Sequence, residues 1–109
     1  MADAWIVDLR HYLAPTGAIA EMSRPARNLA AYFTRIVVDA TTNIDEPPTV
    51  RCRRYPRHRR CVGIVISSPV PDENDAIHWH CPVCHDSGII TGWRNTLWDG
   101  FAEQDSLVS

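Results

Sequence analysis

The chain has 109 residues, 45% of them hydrophobic and 22% charged, with a formal net charge of −2. That length allows one domain, or one small domain with a metal-stapled appendage, and that apolar content excludes general disorder. No apolar run approaches the roughly 18 residues of a membrane helix, and the start Met1-Ala2-Asp3-Ala4-Trp5 lacks the features of a secretory signal, so the expected location is cytoplasmic.

Trp5, Val7 and Leu9 alternate with Ile6, Asp8 and Arg10, which predicts a short strand over residues 5–9. Pro15-Thr16-Gly17 breaks the chain. Ser23 is placed to cap a helix and Pro25 suits its first turn. Ala26, Leu29, Ala30, Phe33, Ile36, Val37 and Ala40 then recur at the spacing of one buried helical face, while Arg27, Asn28, Arg35 and Asp39 fall on the other. This predicts a helix over about residues 24–41. Residues 42–49, with Asp45-Glu46-Pro47-Pro48, read as a linker, because paired prolines favour extended backbone.

Val62, Ile64, Val65 and Ile66 predict a strand over residues 61–67, and residues 68–75, with two prolines and three acids, a solvated turn. Residues 76–80 return as a strand. His85-Asp86-Ser87-Gly88 reads as a turn, and Ile89-Ile90-Thr91 as a third short strand of this region. Residues 92–99 are irregular in polarity, and residues 103–109 are expected to fray.

The chemistry-bearing residues are four cysteines. Cys81-Pro82-Val83-Cys84 is a C-P-x-C knuckle, whose short turn aims two sulfurs and several backbone N–H groups at one metal. Cys52 and Cys61 form a wider C-x8-C pair, and the 19 residues from Val62 to His80 suffice for two strands and a turn. In a reducing compartment such cysteines favour metal over disulfides. The expectation is one structural Zn2+ held by Cys52, Cys61, Cys81 and Cys84 in a zinc ribbon. A filled-shell ion accepts a tetrahedron of thiolates without electronic penalty. Three rival readings stand beside it: a histidine (His58, His78, His80 or His85) replacing one sulfur, a rubredoxin-like iron site, and a thioredoxin-like redox motif. The last requires a helix starting at the C-P-x-C.

All 11 basic residues are arginine. Six of them, Arg51, Arg53, Arg54, Arg57, Arg59 and Arg60, fall within residues 51–60, which hold no acid; the rest of the chain is acidic. Around Tyr55 they form a candidate surface for nucleic acid, since guanidinium forks match phosphate oxygens and the ring can stack on a base. An acidic protein partner, or a solvated loop paired with Asp72, Glu73 or Asp75, fits the same charges. Trp79, Trp93 and Trp98 read first as core and second as a partner-facing surface. No phosphate-binding glycine loop, serine elbow or H-E-x-x-H occurs, and no small-molecule substrate is inferred.

The knuckle with strands on either side resembles zinc-ribbon domains over about residues 50–98, which implies a binding module. The stretch Trp79-His80-Cys81-Pro82-Val83-Cys84, followed by Gly88-Ile89-Ile90-Thr91-Gly92-Trp93 and Thr96-Leu97-Trp98-Asp99, is similar to a group of small uncharacterised bacterial proteins. Their shared tail reads W-x-C-P-x-C…G-x-I-x-G-W-x-x-T-x-W-D. This chain departs from common knuckles in carrying His85 where glycine often follows the last cysteine. The group brings no function with it.

The fold expected is small α+β: one N-terminal helix with a small antiparallel sheet carrying a zinc ribbon. Residues 1–45 would form the N-terminal strand and helix, 50–98 the ribbon and 99–109 a tail. The function expected is a non-enzymatic zinc-binding module contacting nucleic acid through its arginine loop. The alternative is a protein–protein adaptor using the helix and tryptophan surface.

Overall fold

The computed structural model describes residues 4–42, 47–54, 59–70, 76–94 and 96–100. Among these residues it is a small α+β fold with one long α-helix and one four-stranded sheet. The strands are β1 (Ala4–Asp8), β2 (Ile66–Val70), β3 (Ala76–His80) and β4 (Ser87–Thr91), and the helix α1 is Arg24–Thr42. A 3-10 turn, Leu9–Tyr12, follows β1 directly; Asp8 caps it by accepting the backbone N–H of Arg10.

The sheet order is β1-β4-β3-β2. β2, β3 and β4 form an antiparallel meander, as expected, but β1 joins β4 in parallel, so the sheet is mixed. The reason is topological. β1 and β4 are separated by the helix and two strands, and a connection that long can return the chain in either direction. The N-terminal strand and the cysteine-bearing segment therefore share one sheet.

Register sorts the two faces. Val7 stands opposite Ile90, which stands opposite Ile77; Trp5 stands opposite Gly88, which stands opposite Trp79. These two rows lie under α1. On the other face Ile6, opposite Ile89, is 87% exposed. A Cβ on Gly88 would come within 2.7 Å of Trp79 Cζ2 and 2.8 Å of Trp5 Cβ, so only glycine leaves room for the Trp79 ring to lie over β4 beside Trp5.

The helix forms where its periodicity places it. The Ser23 carbonyl accepts the N–H of Arg27, and Ala30, Phe33, Ile36, Val37 and Ala40 are buried. Phe33 is the centre of the core: its ring is 5.8 Å from Tyr12, 6.0 Å from Trp5 and 6.4 Å from Trp79. Asp39 departs from the expected exposed face. It is 6% exposed and accepts both the backbone N–H and the hydroxyl of Thr49, which fastens the segment after the linker onto the helix. At the helix end Thr41 Oγ1 accepts the N–H of Gly100, so residues 96–100 pack back on α1.

Two strand boundaries shift. Residues 62–65 alternate like a strand, yet they pair with residues 50–52 rather than with β3: Arg51 bridges Ile64, and Val65 N–H donates to the Val50 carbonyl at 2.8 Å. β2 begins only at Ile66 and runs through Pro69, inside the stretch expected to be a turn. Proline is tolerated there because β2 is an edge strand, where a missing donor leaves no ladder bond broken. β4 likewise starts at Ser87, two residues before the predicted strand.

Candidate metal centre

Two loops at one end of the sheet carry the cysteines. Cys52 N–H donates to the Gly63 carbonyl at 3.0 Å and Cys61 N–H to the Arg54 carbonyl at 2.8 Å, so the C-x8-C loop is closed at its base. The C-P-x-C knuckle is the connection between β3 and β4. Cys81 N–H donates to the Asp86 carbonyl, and His85 N–H to the Cys81 carbonyl. His85 adopts φ +65°, the left-handed conformation that glycine would take without strain. A non-glycine residue at that φ carries local backbone strain.

These loops bring together the sulfurs of Cys52, Cys61, Cys81 and Cys84, all within 4.8 Å of one another. Cys52 Sγ is 3.6 Å from Cys84 Sγ, and Cys61 Sγ is 3.6 Å from Cys81 Sγ. Four sulfurs about 2.3 Å from one tetrahedral ion stand about 3.8 Å apart, so the cluster has the dimensions of a four-thiolate site. All four are free thiols; three are buried and Cys84 is half-buried. Among the described residues no histidine or carboxylate joins the group. His80 and His85 are exposed and His78 is half-buried on β3, while His58 lies outside the described residues.

The environment divides the thiols. Burial raises Cys52 and Cys84 above the ordinary thiol value. At Cys81 burial acts in the same sense, but the backbone N–H groups of Cys84 and Val83, together with the thiols of Cys61 and Cys84, donate to its sulfur and leave Cys81 lowered. N–H groups aimed at a sulfur favour the thiolate over the thiol, and the thiolate is the form that binds a metal ion. After C-P-x-C the chain makes a turn and enters β4, with no helix starting at the motif. The structural context of a thioredoxin-like redox pair is therefore missing.

Two residues of the site escaped the sequence reading. Gly63 is buried, its N–H lies 3.4 Å from Cys61 Sγ, and a Cβ there would overlap Cys81 Sγ. The available signal was a glycine two residues after Cys61, where the absence of a side chain lets the second loop approach closely. Asp86 is the second: it is 2% exposed, with Oδ2 4.0 Å from Arg54 Nε and Oδ1 lacking a hydrogen-bond partner among the described residues.

The arginine cluster separates into two kinds. Arg53 is half-buried, with Cζ 5.8 Å from the centroid of the Tyr32 ring, and Arg54 faces Asp86. Arg51, Arg59 and Arg60 are exposed, and among the described residues none of them makes an ion pair. Tyr55 and Arg57 lie outside the described residues, as do Asp72, Glu73 and Asp75. Of the tryptophans, Trp79 and Trp93 are 2% and 1% exposed and belong to the core; Trp98 is half-buried. The tryptophan surface of the adaptor reading is therefore not available from Trp79 or Trp93. Among the described residues no helix is long and apolar enough to cross a membrane.

No family model, curated protein or solved structure matches this chain.

Proposed function

We propose that the four cysteines hold one zinc ion, that the protein is a non-enzymatic zinc-ribbon-like module, and that it presents arginines beside the metal to nucleic acid. The observation that carries the metal reading is the sulfur cluster: four thiols from two loops, within 4.8 Å, at tetrahedral separations. Four protein ligands fill a tetrahedral shell, so the ion has no position for water or substrate and serves structure. Its role is to fasten the C-x8-C loop to the β3–β4 connection. That cross-link holds Arg51, Arg59 and Arg60 on a rigid base, where guanidinium groups with no partner acid among the described residues favour phosphate.

Elemental analysis tests the first half, with one zinc per chain expected. Substitution by cobalt(II) should give sulfur-to-metal charge-transfer absorption. A metal-free chain that keeps its fold would overturn the reading. Titration with single-stranded and duplex oligonucleotides at low and high salt tests the second half. Phosphate contacts weaken steeply with salt, and salt-independent or absent binding would remove nucleic acid as the partner.

A further inference from the structure

A cavity of about 430 Å³ lies between the second half of α1 and the segment that follows the linker. Its wall combines two chemistries. Arg35 of α1, Arg51 and Arg60 supply three guanidinium groups, while Val38, Val50 and Trp98 supply apolar surface. All three arginines are exposed, and among the described residues none makes an ion pair. The carboxylate that lines the cavity, Asp39, is 6% exposed and is occupied by the N–H and hydroxyl of Thr49 at 3.3 and 3.0 Å. Three cations thus border one concave site whose acid is committed to holding the backbone.

We infer that this cavity binds a nucleotide unit, with phosphate on Arg35, Arg51 and Arg60 and the base against Trp98. A bare anion would use the guanidinium groups and leave the apolar wall wet; an apolar ligand would leave three guanidinium charges without a counter-ion. A phosphate joined to an aromatic ring satisfies both, because guanidinium forks take phosphate oxygens and an indole takes a base face. The volume lies in the range of small-ligand sites. Arg51 and Arg60 flank Cys52 and Cys61, so the metal-held loop forms one side of the cavity and the helix the other. This deepens the arginine reading and rests on it, but does not depend on which metal the cysteines hold.

The test uses the metal-loaded full chain, titrated with adenosine 5′-monophosphate, adenosine, inorganic phosphate and a short single-stranded oligonucleotide. Binding is followed by calorimetry and by the Trp98 indole resonance. The monophosphate should bind about tenfold or more tighter than phosphate or adenosine alone and should shift the Trp98 signal. Arg35→Gln, which lies outside both cysteine loops, should weaken the monophosphate about tenfold at unchanged metal content, and Arg35→Lys should lose less. If Arg35→Gln weakens the oligonucleotide equally, the natural ligand is a strand; if it weakens only the monophosphate, it is a free nucleotide. Equal affinity for phosphate and monophosphate, or no effect of Arg35→Gln, overturns the inference. Oligonucleotide binding without monophosphate binding overturns the cavity and leaves the arginine surface standing. Failure of both overturns the two together.

Discussion

Arg54 Nε stands 4.0 Å from Asp86 Oδ2 and so spans the two loops that carry the cysteines, one end in the C-x8-C loop and the other beside Cys84. Asp86 is almost fully buried while Arg54 is exposed, so the pair closes the seam between the loops from outside. Groups that orient ligand-bearing loops commonly influence metal affinity by about 10–100-fold. Asp86→Asn preserves shape and backbone but removes the charge facing Arg54. It should release metal to a competing chelator roughly tenfold faster than wild type. Wild-type release rates would show the pair to be incidental.

The metal should be inseparable from the fold of the cysteine region. Cys81→Ser is expected to lower zinc content to near zero and to lose hydrogen-exchange protection in residues 50–54 and 59–65, since binding energy and folding energy are shared in small metal sites. Part of α1 should keep protection, because Phe33 and Ile36 pack without the cysteines' help. Equal protection of the cysteine region with and without chelator would contradict this.

Metal affinity should fall as pH falls. Burial raises the thiols of Cys52 and Cys84, so the metal-free site carries protons at neutral pH that the ion must displace. Acidification supplies competing protons and weakens binding; alkaline pH strengthens it until the thiols ionise unaided. Calorimetry in buffers of different ionisation enthalpy should register proton release on zinc binding, and a buffer-independent heat would refute it.

Gly63→Ala tests the closeness of the loops. The added methyl overlaps Cys81 Sγ and crowds Val83, so one loop must move away from the other. Metal affinity should drop markedly while α1 helicity remains, a contrast read by chelator competition and circular dichroism. By comparison Phe33→Ala, at the fully buried centre of the core, should cost about 3–5 kcal/mol in denaturant unfolding.

Within the cysteine loop, salt dependence should report the exposed arginines that face neither Tyr32 nor Asp86. Arg51, Arg59 and Arg60 neutralising about three phosphates imply a log-log slope near −2 on single strands, at about 0.7 per phosphate. Arg59→Gln with Arg60→Gln should flatten the slope. Arg53→Gln should leave it nearly unchanged, because that guanidinium lies over Tyr32. An equal effect of both substitutions would mean that Arg53 leaves the ring to meet the ligand.

Local patterns determined the elements of this protein. The spacing from Ala26 to Ala40 specified α1, because a helix repeats its buried face regardless of what covers it. The strand read over residues 76–80, between the proline-rich turn and the knuckle, matches β3 to the residue. The spacing of Cys52, Cys61, Cys81 and Cys84 was enough to gather them, because two short loops with sulfurs at their bases have few other ways to meet. What depends on partners distant in the chain was decided only by the tertiary structure. The parallel entry of β1 beside β4, the pairing of residues 62–65 with 50–52, and the burial of Asp39 under Thr49 each follow from packing register, which residue type does not encode. The same holds for the arginines. Six in one loop looked alike in sequence, yet Arg53 meets an aromatic face and Arg54 an acid, while Arg51 and Arg60 join Arg35 of the helix around one cavity. A long, flexible side chain takes its role from whichever surface lies within reach, and that surface exists only once the chain has folded.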